Sequence, residues 1–521
     1  MDIAAENDLT IVDAIYRQVS FKPDAIAYRS HDARLSFADL ERATNQIANA
    51  LVGMNVGRGD RVACLTKHHL PCILLTLAAC KVGAVCMPVN WRLAANELDY
   101  ILGHGEAKFL LADQSFLEGV AKNLAPTTLQ MLQKTVCSEG TAGAVPGFAD
   151  WYSAHSKKFT MVPAKLDDAA LQLYSSGTTG LPKGVMLSHR NISSNAINSE
   201  ERLPLLEKGK SQCLSFLPVS HIYERMLHYL YMYIGCSIHF AESMDTIGDN
   251  IREVKPDVFS AVPRLIEKVF DKIMAKGDEL SGVKRALFFW AVGVAEDYDV
   301  IGKSVSYKVK LAIARKLIFS KWQEALGGNV KAIASGSAAL QPRLARIFLA
   351  ADIPILEGYG LTETSPVVTV NNFNTGIRIG SVGPLVENVQ VKIAEDGEIL
   401  VKGPNVMMGY YKNQEATNEV FDADGWFCTG DIGTFQEGKF LKITDRKKEI
   451  FKTSGGKYIV PQAMENRLKQ SRFIEQAMVI GEGEKFPAVF IVPNFAFVKE
   501  WAQRHALDFS NSTNETIIEN Q

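Results

Sequence analysis

A run of glycine, serine and threonine residues at positions 173–184 has the composition of a polyphosphate-binding loop. It reads Leu-Tyr-Ser-Ser-Gly-Thr-Thr-Gly-Leu-Pro-Lys-Gly, and its first residues continue a strand-like apolar segment. Glycines let the backbone approach a ligand, hydroxyl and amide groups donate hydrogen bonds to phosphate oxygens, and lysine adds a compact positive charge. The predicted phosphate-binding residues are Ser175, Ser176, Gly177, Thr178, Thr179, Gly180 and Lys183.

This loop differs from the common P-loop. That motif requires Gly-x-x-x-x-Gly-Lys-Ser/Thr above a helix N-terminus, and Gly177 and Gly180 are too close together to satisfy it. A flexible linker of small residues is the alternative interpretation. A linker does not account for the buried-type strand in front of the loop, so the binding interpretation is favoured.

Two further segments carry side chains suited to a nucleotide and a divalent cation. In residues 357–364, Tyr359 offers an aromatic face for stacking on a base, and Glu363 is a hard oxygen ligand suited to Mg²⁺. Asp431 follows a Thr-Gly turn, where an ionised carboxylate accepts hydrogen bonds from a pair of hydroxyl groups. Taken singly, each segment is also compatible with a surface turn.

Four segments, taken in order, resemble the motifs of the adenylate-forming superfamily, which includes acyl-CoA synthetases, luciferases and the adenylation domains of peptide synthetases. They are residues 173–184, 357–364, 425–431 and 445–452. The resemblance implies that Glu363 and Ser175 support a magnesium ion. The nucleotide-site residues that it implies outside the phosphate loop are Gly336, Ser337, Glu357, Gly358, Tyr359, Gly360, Thr362, Asp431, Arg446, Lys452 and Tyr458.

The same resemblance assigns roles to the chain that follows Asp445. Lys448 occupies the position of the superfamily's interdomain hinge. Gly455 and Gly456 resemble the glycine-rich strand that lies beside the pantetheine arm of coenzyme A after the last domain rotates. A plain Gly-Gly turn is the alternative interpretation of these two residues.

The nature of the acid is indicated by two segments, residues 215–225 and 261–265, which resemble the long-chain branch of acyl-CoA synthetases. Amino-acid-activating members carry an aspartate that pairs with the substrate ammonium group, and no corresponding Phe-Asp string occurs here. An acid with an uncharged tail is therefore favoured. The resemblance places His221 near the carboxylate and the thioester chemistry, although a lone histidine beside aromatic residues is otherwise more often a packing residue.

These resemblances imply ATP-dependent activation of a long- or medium-chain fatty acid to an acyl-adenylate, with pyrophosphate release, followed by transfer to coenzyme A. The expected cofactors are ATP, Mg²⁺ and coenzyme A. Positive charge would offset the repulsion between the carboxylate of the acid and the phosphate groups of ATP, which must meet in this reaction. Two alternatives stay open: an acyl-AMP ligase that delivers to a carrier protein, and a nucleotide- or acyl-binding protein with weakened catalysis. The expected catalytic residues are Lys183, His221, Glu363 and Lys448.

Short β-branched segments alternate with helical patterns around these motifs. Residues 61–65 and 84–89 are strand-like, they flank a helical pattern at 69–81, and residues 108–113 form the next strand-like segment. This order predicts an α/β fold in which helices cover parallel-type sheets. From residue 382 to residue 411 the pattern changes to short alternating strands separated by Asp-Gly and Gly-Pro turns, which predicts a β subdomain.

We expect a large N-terminal domain over residues 1–444, with a subdomain joint near 136–150 and the β subdomain at about 380–440, and a small α+β domain over residues 445–521. Superfamily members carry a catalytic lysine in the final stretch of the last domain, whereas the last lysine of this sequence is Lys499. The resemblance therefore implies that the C-terminal domain is incomplete.

The bulk composition is that of a soluble protein with large cores. The chain has 521 residues, of which 47% are hydrophobic, and 56 lysine and arginine residues against 58 acidic residues give a formal net charge of −2. This balance argues against nucleic acid as a partner. The segment from Gly277 to Gly327 is predicted to be helical, with its mixed charges on a solvated face.

Cysteine usage and the N-terminus indicate a cytoplasmic protein. The eight cysteines show no zinc-binding spacing and are predicted to be reduced and mostly buried. The N-terminus lacks the features of a signal peptide, and the most apolar long run, residues 70–89, is interrupted by Lys81, Gly83 and Pro88. The expected partners are the small-molecule substrates, and peripheral contact with a membrane and a homodimer are left open.

Overall fold

The computed structural model describes residues 9–30, 33–67, 69–120, 124–175, 180–505, 507, 509 and 512–519. The α-helices are α1 Ile11–Phe21, α2 Phe37–Gly53, α3 His69–Val82, α4 Ala95–His104, α5 Gln114–Val120, α6 Pro126–Met131, α7 Phe148–Ser153, α8 His189–Glu200, α9 Ile222–Ile234, α10 Ile247–Val254, α11 Pro263–Asp278, α12 Gly282–Glu296, α13 Val305–Ala314, α14 Ser320–Ala325, α15 Pro342–Ala350, α16 Gln414–Glu419, α17 Pro461–Leu468, α18 Phe495–Arg504 and α19 Asn514–Glu519. A π-helical turn, Arg315–Phe319, joins α13 to α14, and a 3-10 turn spans Thr362–Thr364.

β-Strands occur along most of the described chain. They are β1 Ile26–Arg29, β2 Arg34–Ser36, β3 Arg61–Leu65, β4 Val85–Pro88, β5 Ala107–Ala112, β6 Lys134–Cys137, β7 Ala169–Ser175, β8 Lys183–Ser188, β9 Gln212–Ser215, β10 Ser237–Phe240, β11 Val258–Ala261, β12 Ala332–Ser335, β13 Ile355–Gly360, β14 Val367–Val370, β15 Gln390–Ile393, β16 Glu398–Lys402, β17 Gly409–Tyr410, β18 Phe427–Gln436, β19 Phe440–Arg446, β20 Phe451–Lys452, β21 Tyr458–Ile459, β22 Ile474–Ile480 and β23 Ala488–Pro493.

Two large sheets form the framework of the described chain. The first has seven strands in the order β17-β8-β7-β4-β3-β5-β6, and the strands from β7 to β6 run parallel. The second has eight strands in the order β14-β13-β12-β11-β9-β10-β1-β2, and the strands from β13 to β1 run parallel. The predicted α/β fold with parallel-type sheets is confirmed.

Side chains on a strand alternate between a core shared by the two sheets and an outer core. Val62 and Cys64 of β3 pack between the sheets, whereas Ala63 and Leu65 pack on the outer side of the seven-stranded sheet. The eight-stranded sheet is also covered on both faces. Helices α1, α2, α3, α8 and α9 fill the space between the sheets. Because both faces of the strands are buried, they read as apolar runs.

The N-terminal elements agree with the sequence pattern to within two residues. Helix α3, predicted at 69–81, ends at Val82, and β5, predicted at 108–113, spans Ala107–Ala112. The cysteines are free thiols, and all of them are buried except the half-buried Cys428. Both predictions are therefore confirmed.

The β subdomain and the last part of the chain follow the large sheets. Strands β15, β16, β18 and β19 form a four-stranded antiparallel sheet, as the alternating pattern predicted. Beyond Arg446 the chain forms two hairpins, β20–β21 and β22–β23, together with α17, α18 and α19. Arg472 and Arg504 of this part both pair with Asp278 at the end of α11, at 3.3 Å and 2.9 Å.

Helix α9 is tied to the eight-stranded sheet by a buried polar network around Glu224. The Glu224 carboxylate accepts hydrogen bonds from the hydroxyl groups of Ser215 on β9 and Ser260 on β11. His228 Nε2 lies 2.8 Å from Ser215 Oγ. Burial raises the pKa of Glu224 to about 7, although the two hydroxyl donors oppose the rise.

The next residue, Arg225, ties the same helix to the seven-stranded side of the molecule. Its side chain is fully buried. Arg225 Nε donates to the Val219 carbonyl at 2.7 Å, and Nη1 donates to Thr76 Oγ1 on α3 at 2.8 Å. The segment that leads into α9 is therefore held from both sides.

The raised pKa of Glu224 predicts a pH-dependent stability. Between the unfolded-state pKa near 4.5 and the folded-state pKa of about 7, the native protein holds a proton that the unfolded chain has released, so the free energy of unfolding falls as pH rises. The fall amounts to about 3 kcal/mol, because one pKa unit is worth about 1.4 kcal/mol. Denaturant titrations at pH 5 and pH 8 should show this contribution in the wild type and its loss in Glu224→Gln.

Glu415→Gln is the matched control for this comparison, because Glu415 is exposed. It should keep the pH dependence of the wild type. Equal pH slopes in the wild type and in Glu224→Gln would contradict the assignment.

Candidate active site

A cleft of about 970 Å³ opens where the carboxyl ends of the parallel strands in the two sheets approach each other. Residues at the carboxyl ends of β4, β7, β12 and β13 line it, together with the start of α9. Residues of β18 and the segment 446–449 complete its wall. Ligands of open α/β sheets commonly bind at this edge of the strands.

Four side chains meet in one part of the cleft, here named the Glu363 corner. Glu363 Oε1 accepts hydrogen bonds from Ser175 Oγ at 3.3 Å and from Tyr410 OH at 3.1 Å. Lys183 lies opposite Ser175 in the β7–β8 hairpin, and its Nζ is 5.0 Å from the centre of the Tyr410 ring. The corner thus combines a carboxylate, two hydroxyl groups and an ammonium group.

A second group of contacts joins Tyr359, Asp431 and Arg446. Asp431 Oδ2 accepts a hydrogen bond from Tyr359 OH at 2.7 Å, and Asp431 Oδ1 lies 3.2 Å from Arg446 Nε. Asp431 and Arg446 are cross-strand partners in β18 and β19. Burial raises the pKa of Asp431, while the tyrosine hydroxyl and the arginine charge oppose that rise. The carboxylate is therefore oriented by two donors before any ligand arrives.

The turn between these two groups requires glycine at position 360. A Cβ atom on Gly360 would lie 1.6 Å from the Pro366 carbonyl oxygen, so a side chain cannot be accommodated. This close approach brings Tyr359 and Glu363 to the same cleft from opposite ends of one short turn.

His221 lies at the N-terminus of α9 and faces the cleft. Burial lowers the pKa of His221 below its usual range, and the positive charge of Arg92 lowers it further. The imidazole is therefore neutral at pH 7, which is the form that accepts a proton.

One face of α9 gives the cleft an apolar wall. Tyr223, Met226, Leu227 and Leu230 follow the spacing of a single helical face. Leu230 lies nine residues beyond His221, so the wall extends about 13 Å along the helix axis. The apolar side chains of this part of the lining are Leu203, Tyr223, Met226, Leu227, Leu230, Val367 and Val370.

Most of the site residues predicted from sequence lie in this one cleft. The predicted residues that line it are Ser175, Lys183, His221, Gly336, Ser337, Gly358, Tyr359, Gly360, Thr362, Glu363, Asp431, Arg446 and Lys448. Gly180 is described but does not line the cleft. The predicted residues 176–179, namely Ser176, Gly177, Thr178 and Thr179, lie outside the described residues.

Glu357 is buried beneath the cleft and does not line it. Successive residues of a strand point to opposite faces, and Gly358 is the one that faces the cleft. Burial raises the pKa of Glu357 to about 8, so its carboxyl group is mostly protonated at pH 7. The predicted direct contact of Glu357 with a nucleotide is not supported by this arrangement.

Four residues of the last part of the chain are also not brought to the cleft. Lys452 and Tyr458 face each other across the β20–β21 hairpin, with Lys452 Nζ 4.5 Å from the centre of a largely exposed tyrosine ring. Gly455 and Gly456 lie in the turn of that hairpin. None of the four lines the cleft, because the hairpin faces solvent in this arrangement.

The Glu363 corner suits a magnesium ion that is shared with a substrate. Within the described ranges, no group of three or more histidine, cysteine, aspartate or glutamate side chains is placed to hold a metal ion. Magnesium is commonly bound by one or two carboxylates, water and substrate phosphates, so a complete protein cage is not required. The oxygen donors of Glu363, Ser175 and Tyr410 fit this chemistry.

Tyr410 is the site residue that sequence reasoning missed. Burial and the nearby Glu363 carboxylate raise the pKa of Tyr410 well above its usual range, so its phenol stays protonated and donates. It reaches the corner because β17 pairs with β8 at the edge of the seven-stranded sheet. A short Gly-Tyr-Tyr run after a turn carries no local signal for such a pairing.

Comparison with known proteins gives extended matches in sequence. The family model described as AMP-binding enzyme matches residues 15–411, and the model described as AMP-binding enzyme C-terminal domain matches residues 448–519. A long-chain-fatty-acid–CoA ligase of Mycobacterium bovis is 32% identical over 504 residues, which is 93% of this chain and 82% of that relative. Long chain acyl-CoA synthetase 3 of Arabidopsis thaliana is 29% identical and covers 93% of this chain and 77% of its own length.

Solved structures share the same fold. ATP-bound MatB from Rhodopseudomonas palustris superposes with a TM-score of 0.73 over 93% of this chain and 88% of its own, at 24% sequence identity. An anthranilate CoA ligase in complex with anthranoyl-AMP gives a TM-score of 0.75 at 21% identity, over 97% of this chain and 92% of its own. The two family models together match most of the 521 residues of this chain. The chain therefore belongs to the AMP-binding enzyme family.

Proposed function

We propose that this chain is an AMP-forming ligase that activates a fatty acid with ATP and transfers the acyl group to coenzyme A. The observation that carries the proposal is the cleft itself, in which the Glu363 corner, the Tyr359–Asp431–Arg446 group and the apolar wall of α9 adjoin. The relatives named as long-chain-fatty-acid–CoA ligase and long chain acyl-CoA synthetase support the substrate class.

The first half-reaction joins the acid to AMP. A carboxylate oxygen of the fatty acid attacks the α-phosphorus of ATP, and the bond to pyrophosphate breaks. Lys183 and the hydroxyl groups of the Glu363 corner stabilise the negative charge that develops on the departing pyrophosphate. When bound, a magnesium ion held by Glu363 and Ser175 supplies additional positive charge there.

The nucleoside part of ATP is assigned to the second group of contacts. The ring of Tyr359 offers a face for the adenine base, and Asp431 accepts hydrogen bonds from the ribose hydroxyl groups. Arg446 Nε lies 3.2 Å from Asp431, and its positive charge favours the ionised carboxylate against the rise in pKa that burial causes. Gly336, Ser337, Gly358 and Thr362 line the same region of the cleft.

The second half-reaction forms the thioester. The thiol sulfur of coenzyme A attacks the acyl carbon, and AMP leaves with the electrons of the cleaved C–O bond. Neutral His221, which lines the cleft, is proposed to accept the proton that the coenzyme A thiol loses in this step. Lys448 is proposed as the hinge of a domain rotation that brings Gly455 and Gly456 to the pantetheine arm.

The acyl tail is assigned to the apolar wall of α9. Burial of methylene groups against Met226, Leu227 and Leu230 stabilises the bound acid by about 0.8 kcal/mol for each buried CH₂ group. No aspartate or glutamate of the cleft lining lies on this face of the helix. An acid with an uncharged tail is therefore favoured over an amino acid.

The partners of the proposed reaction are small molecules: a fatty acid, ATP and coenzyme A. None of the helices in the described ranges combines the length and the apolar character needed to cross a bilayer. The domain borders near residues 136–150 and at 444, a cytoplasmic location and a homodimer stay predictions from the sequence.

The corner residues provide the first test of the proposed adenylation. Lys183→Ala and Glu363→Gln should each lower the rate of acid-dependent pyrophosphate release about 100-fold, because the first removes a positive charge aimed at the developing negative charge and the second removes the carboxylate proposed to hold the magnesium ion. Pyrophosphate release with palmitate, with and without coenzyme A, measures the effect. Lys165→Ala and Glu415→Gln, at exposed positions, serve as matched controls. Wild-type rates in both corner variants would falsify the assignment.

The apolar wall provides a second test, of chain-length selection. Leu230→Phe enlarges a buried side chain at the end of the wall farthest from His221. The ratio of kcat/KM for a sixteen-carbon acid to that for an eight-carbon acid should fall about tenfold, since one or two lost methylene contacts are worth about that factor. The ratio does not depend on the folded fraction. Leu129→Phe at an exposed site should leave it unchanged.

A further inference from the structure

The segment from Lys303 to Lys321 presents an exposed face that the proposed ligase activity does not use. It comprises α13, the π-helical turn Arg315–Phe319 and the start of α14. One side of the segment packs firmly against the outer core of the eight-stranded sheet through Leu311, Ala314 and Phe319. The opposite side is therefore held in a fixed position at the surface of the protein.

This exposed side carries an apolar stripe. Val305, Val309, Ile313 and Leu317 follow one another at intervals of four residues, which places them along one face of the helix. Val305 is 78% exposed and Val309 is 55% exposed. Single exposed apolar residues are ordinary on protein surfaces, but a continuous row on a rigid helix indicates an interaction surface.

Lysine residues lie on both sides of the stripe. Lys308 and Lys310 precede and follow Val309 in the sequence, so each lies about 100° around the helix from it. Lys316 lies on the exposed face between Ile313 and Leu317. Within the described part of the chain, no ion pair joins these three lysines to a carboxylate. Their positive charges are free to act on an outside partner.

The local charge is unlike that of the whole chain. Residues 303–321 contain six lysine and arginine residues (303, 308, 310, 315, 316 and 321) and no aspartate or glutamate, whereas the whole chain has a formal net charge of −2. A second copy of this chain would bring the same positive face against itself in a two-fold dimer, which is unfavourable. The charge therefore selects an anionic partner.

We infer that the 303–321 face docks the protein on the surface of an anionic lipid bilayer. The apolar stripe enters the boundary between head groups and acyl chains, and the flanking lysines contact the phosphate groups. Long lysine side chains suit this position, because their methylene stems cover apolar surface while the ammonium groups stay at the head-group level. This inference does not rest on the proposed ligase activity.

Vesicle co-sedimentation of the full chain tests the inference. Vesicles of phosphatidylcholine mixed with phosphatidylglycerol should bind the protein, pure phosphatidylcholine vesicles should bind it much more weakly, and added salt should weaken the first interaction. Lys308→Glu combined with Lys310→Glu should lower the partition coefficient about 25-fold or more, since each basic residue near an anionic surface contributes about fivefold.

Two further double variants separate the contributions of net charge and of the apolar stripe to vesicle binding. Lys157→Glu combined with Lys158→Glu makes the same change in net charge at an exposed site elsewhere, and it should bind nearly as the wild type does. Val305→Ser combined with Val309→Ser should weaken binding several-fold while the salt dependence remains. Circular dichroism of each variant establishes that the fold is intact.

Three results would overturn the inference. The first is that the wild type does not bind the anionic vesicles. The second is that the wild type and the Lys308/Lys310 variant bind them equally. The third is that the wild type self-associates, the same variant does not, and neither binds vesicles. Pyrophosphate release from a short, water-soluble acid without vesicles should be the same in all variants. A failure of the ligase proposal would appear in that assay and not in sedimentation.

Discussion

The burial of Glu224 and Arg225 on one helix fixes the geometry on which the cleft depends. Two ionisable side chains taken out of water must be satisfied by specific partners, because an unsatisfied buried charge costs several kcal/mol. Glu224 finds its donors on β9 and β11, and Arg225 finds acceptors in the Val219 carbonyl and in α3. Helix α9 is thereby locked to the eight-stranded sheet and to α3 at once. Its first residue and its apolar face keep their positions relative to the strand ends.

The same principle of satisfied polar groups organises the cleft. Glu363 is held by two hydroxyl donors, and Asp431 is held by a hydroxyl group and a guanidinium group. These contacts orient the carboxylates before a ligand is present, so less reorganisation is needed when charge develops in a reaction. The cleft therefore combines a rigid polar end with an apolar wall, which suits a substrate that has one charged end and one apolar tail.

The helical segment 303–321 differs from the cleft in how the groups on its two sides are packed. Its inner side contributes to a core, while its outer side leaves a row of branched apolar residues in water beside unpaired positive charges. Mixed charge along the longer segment, residues 277–327, predicted only a solvated face. All the acidic residues of that segment except Glu324 lie before Lys303, so the stretch from Lys303 to Lys321 carries only basic charged residues.

Much of this organisation was accessible from sequence because its signals are local. The alternation of apolar strands with helical patterns predicted α3 and β5 to within two residues, and the side-chain chemistry of Lys183, Tyr359, Glu363 and Asp431 predicted residues that lie in one cleft. Such signals depend on neighbouring residues and on the hydrogen-bonding capacity of each side chain.

Contacts between distant parts of the chain were decided by the tertiary structure alone. Tyr410 joins Glu363 only because an edge strand pairs with β8, and β1 and β2 cross from the N-terminus to the edge of the second sheet. Glu357 points away from the cleft because successive residues of β13 face opposite sides of the strand, and its neighbours Leu356 and Gly358 line the cleft. The sequence by itself determined which residues have the chemistry for a phosphate and a carboxylic acid. Packing decided which of them meet, since strand pairing and helix docking set distances that spacing along the chain does not contain.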